Sequence, residues 1–246
     1  MKTVFINCSP KKRFCASAYF LFLQRLSVGG EKVKENLRSP ADTARILETL
    51  RDAQAVVFGL PLYVDGVPSH VLRFMTEMES FCRKNGVKLS VYCIANNGFI
   101  EGRQNEPLMQ VFEHFCTRSG LVYGGGVGIG GGVMLNVTRI LFIVDIALLV
   151  LNTVLSVVNT GSFFPPAAWL SFAENAALLL YFNLGVLFYL GGMGHAVRKG
   201  TYFGKKYTRI LIPSFVFIVF ADIFFIITSV LEGGIFRGWL ARKQES

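Results

Sequence analysis

Charge is scarce in this 246-residue chain: charged residues make up 17% of it and hydrophobic ones 52%. That balance is too apolar for an ordinary soluble protein. Acids are rarer than bases, 16 Asp and Glu against 25 Lys and Arg, and there are only three histidines. The five cysteines (8, 15, 82, 93, 116) form no CxxC pair and all lie in the first half. This argues against a zinc ribbon, an iron–sulfur cluster or a disulfide frame, and for reduced, mostly buried thiols of a cytosolic compartment. His70 and His114 fall within helical runs without companion ligands, so they read as structural. An apolar leader is also missing: a strand begins almost at once, and no signal peptide is expected.

What charge there is lies unevenly. Residues 1–132 hold 16 of the 25 bases and 11 of the 16 acids, and the remainder of the chain is dominated by three apolar runs. The reading is a soluble domain over 1–132 followed by a membrane helical domain over 133–246. The formal net charge of +9 points to an anionic membrane surface and not to nucleic acid, because the later basic residues flank apolar spans.

In the first half, short apolar β-branched runs alternate with helical ones. Strands are expected at 3–7, 32–37, 53–60, 87–95 and 121–127, with helices at about 17–27, 40–51, 69–84 and 107–119. Alternation of this kind implies a parallel sheet with right-handed crossovers. Five strands over this length suit the order 2-1-3-4-5, whose ligands bind beyond the carboxyl ends of the strands, at the switch point between strands one and three. Three loops fall at those ends, 8–17, 60–68 and 95–105. The first joins a strand to a helix start, where free backbone N–H groups can hold a phosphate.

The residues of these loops carry a resemblance. Asn7-Cys8-Ser9-Pro10-Lys11-Lys12, with Ser17 further on, resembles the phosphate loop of the flavodoxin-like NAD(P)H-dependent FMN reductases. Pro61-Leu62-Tyr63-Val64 resembles that family's Pro-x-Tyr flavin loop, and Asn96-Asn97-Gly98-Phe99 with Glu101 its third loop. The resemblance covers residues 1–132. It implies a flavodoxin-like α/β fold and a site for FMN and NAD(P)H. Ser9, Pro10, Lys11 and Ser17 would hold the phosphate. Pro61, Leu62, Tyr63 and Val64 would lie along the isoalloxazine, and Asn97, Gly98 and Phe99 would border its other edge. The flavin carries the chemistry, so no catalytic side chain is implied. Cys8 stands where the family has Gly, and Lys11, a point charge without a fork, stands where it has Arg. The plainer alternatives are a turn at Ser9-Pro10, an N-cap at Ser17, a packed loop aromatic at Tyr63 and a simple turn at Asn97-Gly98.

The run Gly124–Gly132 contains a literal GxGxxG at 126–131. It follows the last expected strand and precedes an apolar helix with no second βαβ unit, so it reads as a flexible joint and not as a dinucleotide fingerprint. Beyond it, apolar spans at about 140–158, 169–190 and 210–231 are each long enough to cross a hydrocarbon core. Arg198, Lys199, Lys205, Lys206 and Arg209 crowd an acid-free loop at 191–209, while 159–168 is uncharged. That asymmetry puts the basic loop, and with it residues 1–132, on the cytoplasmic side of a multi-pass cell-membrane protein. Arg237, Arg242 and Lys243 run against this rule if the third span crosses fully; Gly233-Gly234 and Trp239 would instead suit an interfacial tail. Each span carries one acid, Asp145, Glu174 and Asp222, either for interhelical hydrogen bonding or for an ion path.

The fold lacks one expected part. No amphipathic fifth helix follows the last strand, so an apolar sheet face must be covered by the start of the first span, by the loop 191–209, or by a second copy of the chain as a homodimer. The leading functional expectation is a membrane-anchored flavoprotein passing electrons from NAD(P)H through FMN to a quinone or other acceptor. The alternatives are a transporter-like bundle with a regulatory flavodoxin-like domain, and a scaffold that kept the fold without the cofactor.

Overall fold

A computed structural model describes residues 1–12, 14–63 and 66–231. In chain order these form β1 (Lys2–Asn7), α1 (Ala16–Ser27), β2 (Glu31–Asn36), α2 (Thr43–Leu50), β3 (Ala55–Pro61), α3 (Ser69–Asn85), β4 (Ser90–Asn96), α4 (Glu106–Ser119), β5 (Val122–Gly130), α5 (Gly132–Thr160), α6 (Pro166–Lys199), β6 (Gly204–Arg209) and α7 (Ser214–Leu231). The strands make one sheet in the order β2-β1-β3-β4-β5-β6, with every pairing parallel. The first five strands stand in the flavodoxin-like order. The sheet has six strands, however, and not the five expected.

One sheet face follows from simple alternation along the strands. Val4, Ile6, Val56, Phe58, Val91 and Cys93 pack with Ile46 and Leu50 of α2, Phe74 and Met78 of α3, and Leu108 and Phe112 of α4. Phe58 contacts both Phe74 and Phe112, with ring centroids 6.3 Å and 5.1 Å apart. The intervening residues, Phe5, Val57, Tyr92 and Ile94, are equally buried on the opposite face.

That opposite face is covered by α1 and by the second half of α6. Over its last four turns α6 buries Asn183, Val186, Leu190, Met193, Gly194 and Val197. These positions fall three and four apart, the stripe of an amphipathic helix. Tyr92 reaches across to donate its hydroxyl proton to the Thr201 carbonyl, 2.8 Å away, just past the helix end. The missing fifth helix is therefore present, fused to what reads in sequence as the second span. It hides there because the stripe is carried by residues apolar enough to continue that span.

The loop expected at 191–209 is also different in kind. It consists of the end of α6, a short turn and β6. Strand β6 (Gly-Lys-Lys-Tyr-Thr-Arg) shows no apolar alternation, because it is an edge strand whose long side chains lie over their neighbours. Lys205 Nζ pairs with Glu113 at 2.7 Å, and the Arg103 guanidinium sits over the Tyr207 ring. The glycine run at 124–130 is likewise not a joint. It is β5, a buried strand between β4 and β6. A side chain on Gly124 would collide with the Tyr92 ring, and one on Gly128 would meet the Gly102 carbonyl at 2.8 Å.

The compact unit runs from Met1 to Leu211, so it does not stop at residue 132. The second unit begins at Ile212 and contains α7. Helices α5, α6 and α7 are each long and apolar enough to cross a membrane. Tail residues Arg237, Trp239, Arg242 and Lys243 lie outside the described residues, as do Gly233-Gly234. All five cysteines are free and buried.

Because Leu190 is buried at 1% exposure in the α6 seam, Leu190→Ala should cost about 2–5 kcal/mol of stability, read as an earlier thermal transition of detergent-purified protein. A fragment of residues 1–132, stripped of α6, should bind hydrophobic dye and aggregate. A soluble, monomeric, fully folded fragment would show that α6 is not needed as a cover.

Candidate functional site

The three loops at the carboxyl ends of the strands converge. Of the residues singled out in the sequence, Ser9, Lys11, Ser17, Pro61, Leu62, Tyr63, Asn97 and Gly98 line one cavity of about 180 Å³. Pro10 and Phe99 are exposed and do not line it. Val64 lies outside the described residues. Asn96 of the third-loop motif lines the cavity as well, as do Phe14, Cys15, Ala16, Val133 and Asn136, which are not singled out by sequence. Asn136 is the informative omission. It stands one turn into α5, and the sequence signal for it was a lone amide at the head of an apolar helix.

Local chemistry explains how each wall is held. Asn7, at the end of β1, accepts the Ser9 backbone N–H through Oδ1 (3.2 Å) and donates Nδ2 to Asn36 Oδ1 on β2 (3.2 Å). The Lys11 N–H in turn donates to Ser9 Oγ at 3.4 Å, so the start of the loop is a nested pair of side-chain turns. His70, at the head of α3, donates Nε2 to the Cys8 carbonyl at 3.0 Å and ties the loop from behind. Ser17 is buried in the first turn of α1, where its Oγ accepts Asn96 Nδ2 at 3.0 Å; the same amide donates to the Leu60 carbonyl at 2.9 Å. One asparagine thus stitches the ends of β3 and β4 to the start of α1.

The N-terminus of α1 is open for a ligand. Its N-cap, Cys15, makes no side-chain capping bond, so the first N–H groups are left without a cap. Those N–H groups, the two serine hydroxyls and the Lys11 ammonium form a donor set suited to a phosphate. The opposite rim offers acceptors. Asn97 Nδ2 is spent on the Glu101 carbonyl (3.0 Å), which leaves its buried Oδ1 unpartnered, and Asn136 Oδ1 is buried and unpartnered too. Tyr63, 42% exposed, closes a small bridge with Gly66 and hangs over the cavity. Burial raises its phenol pKa, and a hydrogen bond with Ser9 opposes the shift. The cavity is smaller than the roughly 300–1,000 Å³ that encloses a drug-sized ligand, so it suits the phosphate and chain of a mononucleotide with the ring at the rim. On donor set and shape, a flavin mononucleotide fits.

Phe14 is the one described non-glycine residue in left-handed backbone conformation, at φ 49°. Its carbonyl accepts Asn136 Nδ2 at 2.7 Å, so the strained loop is held by the first turn of α5.

A second cavity, about 370 Å³, lies between α5 and α6 and is walled by Phe142, Leu148, Leu178 and Phe182 with Asp145 and Asn175. Asp145 Oδ2 is buried there without a partner, whereas Glu174 and Asp222 are exposed. Among the described residues, no group of three or more His, Cys, Asp or Glu is placed to hold a metal.

No protein-family model matches the sequence, and no curated protein matches it. Solved structures with similar folds exist. The Trp repressor binding protein of Bacillus subtilis is 22% identical, over 52% of this chain and 84% of that one, at a TM-score of 0.44. An NAD(P)H:quinone oxidoreductase from Methanothermobacter marburgensis is 14% identical, over 56% and 92%, at 0.45. An azoreductase of Bacillus anthracis str. Sterne is 12% identical, over 81% and 99%, at 0.44. At identities and TM-scores this low, the functional reading rests on the site's own geometry.

Burial pushes the thiols of Cys8 and Cys93 far up, and those of Cys82 and Cys116 to about 11 and about 12. These four should resist iodoacetamide at mildly alkaline pH in the folded protein and react in denaturant, since the thiolate is the nucleophile. Peptide mass spectrometry after alkylation reads this directly, and fast labelling of Cys8 in folded protein would contradict the site as described.

Proposed function

We propose that this chain is a membrane-anchored flavoprotein oxidoreductase that uses FMN and NAD(P)H and delivers electrons to a quinone or other lipid-soluble acceptor. One observation carries the reading. Three separate loops meet at the carboxyl ends of β1, β3 and β4, around an uncapped helix N-terminus with a lysine and two serine hydroxyls beside it. That is where a sheet of this strand order binds its ligand.

When bound, the flavin supplies the two-electron step: a hydride arrives from NAD(P)H, and two electrons with two protons leave to turn a quinone into a quinol, the second proton coming from solvent. The chain's own residues bind and orient. Lys11, Ser9, Ser17 and the N–H groups of α1 hold the phosphate. Leu62 and Tyr63 provide an apolar and aromatic wall for the ring. Asn97 Oδ1 and Asn136 Oδ1 suit donors on the bound group, because each is buried and has an acceptor to spare. The thiols of Cys8, Cys82, Cys93 and Cys116, all raised by burial, stay protonated and take no part.

Three helices of membrane-spanning length support the anchoring. The basic residues Arg198, Lys199, Lys206 and Arg209 at the end of α6 and in β6 support a cytoplasmic domain, where NAD(P)H is found. Asp145 favours a second reading. Its unpartnered oxygen in the α5–α6 cavity suits a transporter-like bundle governed by the sheet domain. Asp145→Asn separates the two: unchanged NAD(P)H oxidation with an added acceptor leaves the acid structural, and its loss couples the cavity to the redox reaction.

The absorbance spectrum of detergent-purified protein tests the leading reading. A flavin spectrum, or a spectral shift on adding FMN, is expected. Ser17→Ala should weaken FMN by roughly ten- to a hundred-fold, the worth of one hydrogen bond to a charged group (about 1.5–3 kcal/mol). Protein that is colourless and ignores added FMN would sink the reading.

A further inference from the structure

The first turn of α5 belongs to the cavity. Val133 and Asn136 line it, the Gly131 N–H donates to the Phe99 carbonyl at 2.5 Å, and Asn136 holds the Phe14 carbonyl. The apolar stretch of the same helix begins at Ile140, four residues beyond Asn136, a rise of about 6 Å. Between them stands Arg139, whose guanidinium lies over the Tyr19 ring at 4.9 Å. The Tyr19 hydroxyl donates to Asn183 Oδ1 of α6 at 3.0 Å. Asn136, Arg139, Tyr19 and Asn183 thus form a polar belt at one level, where both helices leave the sheet domain.

The direction of departure is fixed by packing. Along α6, Asn183 meets Tyr19 near the start of α1, Leu190 accepts the Ser27 hydroxyl near its end, and Gly194 also lies against Ser27. Helix α6 therefore runs parallel to α1. Since α1 begins at the carboxyl end of the sheet, the part of α6 before Asn183 projects beyond that end. Helix α5 leaves from the same end. At the far end of this hairpin, Trp169 stacks on Phe164 with centroids 5.3 Å apart, an aromatic pair suited to the opposite interface. From Ile140 to Val158, α5 rises about 27 Å, close to the roughly 30 Å of a hydrocarbon core.

We propose that the carboxyl-end face of the sheet lies against the bilayer, with Phe14 and Phe99 seated in the headgroup layer and the cavity mouth opening onto it. Both phenyl rings are 61% exposed at loop tips, beside the cavity and next to the root of α5. Lys12 on the same loop faces water and suits an anionic headgroup. An apolar acceptor then reaches the site sideways from the lipid, without crossing water. This last step rests on the flavoprotein reading; the seating of the two rings rests only on the hairpin being in the membrane.

The test uses full-length protein in vesicles of phosphatidylcholine and phosphatidylglycerol, with brominated lipids as tryptophan quenchers. Single-tryptophan variants Phe99→Trp and Phe14→Trp are made on a Trp169→Phe/Trp239→Phe background. Val122→Trp, exposed at the opposite end of the sheet, is the control. Trp169 alone, in Trp239→Phe, reports insertion of the hairpin. Quenching of the 99 and 14 probes by bromines near the headgroup, several-fold above the 122 probe, is expected. If Trp169 is quenched but the 99 and 14 probes behave like the 122 probe, the seating is wrong while the anchor stands. If none is quenched, both fall, whatever the flavin spectrum shows. Phe99→Trp changes only an exposed tip, so it remains readable if the strained site at 14 does not tolerate substitution.

Discussion

Helix α6 is the constraint on which the rest of the molecule depends. A parallel strand pair cannot be closed by a tight turn; the chain must return to the amino end of the sheet before it can pair again. After β5 that return is made by α6, and only its second half travels along the sheet. The first half lies beyond the sheet, paired with α5. The hairpin is therefore not appended to a finished domain. It is inserted into the β5–β6 crossover, and the domain is incomplete until the chain has come back through it. Three features follow from one continuous helix: the covered sheet face, the sixth strand, and a rigid connection between the sheet and two apolar helices.

The same helix resolves what covers Phe5, Val57, Tyr92 and Ile94. Burying such side chains is worth about 1.5–3 kcal/mol each, so leaving that face in water would remove a large part of a domain's small net stability. The cover is α6, whose end, with Met193, Gly194 and Val197, lies within the segment 191–209. Two phenol hydroxyls on the seam are also satisfied: Tyr19 bonds to Asn183, and Tyr92 to the Thr201 carbonyl. These bonds fix the register of α6 against α1, which apolar packing alone would set less tightly.

Sequence reasoning reached the parts of this design that obey a single periodicity. The buried strands β1, β3 and β4 and helices α3 and α4 were legible, and so were the loops that meet at the cavity. It missed the parts where one residue serves two environments. Residues 183–197 are amphipathic against the sheet, yet 183–190 continue the apolar run and read as the end of the second span, while 191–197 read as the start of a basic loop. Strand β6 carries Lys205, Lys206 and Arg209, which read as a basic loop because its stability comes from backbone pairing with β5 and from aliphatic stems. The glycines of β5 looked like a joint because glycine marks flexibility and close approach alike; here Tyr92 and the Gly102 backbone require the second. Asn136 was passed over because its partner, the Phe14 carbonyl, is 122 residues away in sequence.

The position of the hairpin within the crossover decides what it does to the site. A crossover leaves a parallel strand at the carboxyl end, which is also where ligands of such sheets bind. Helices inserted early in the crossover, before the covering helix has packed, must stand on the ligand side. Helices inserted late, between α6 and β6, would stand at the amino end and turn the cavity away from any membrane they entered. This chain has the early insertion, since Gly131 caps α5 directly after β5, while only Gly200 to Phe203 separate α6 from β6. The cavity and the apolar helices therefore share one end of the sheet through connectivity. The shared first turn of α5, with Asn136 on the strained Phe14 and Arg139 at the edge of the apolar stretch, is the local consequence of that topology.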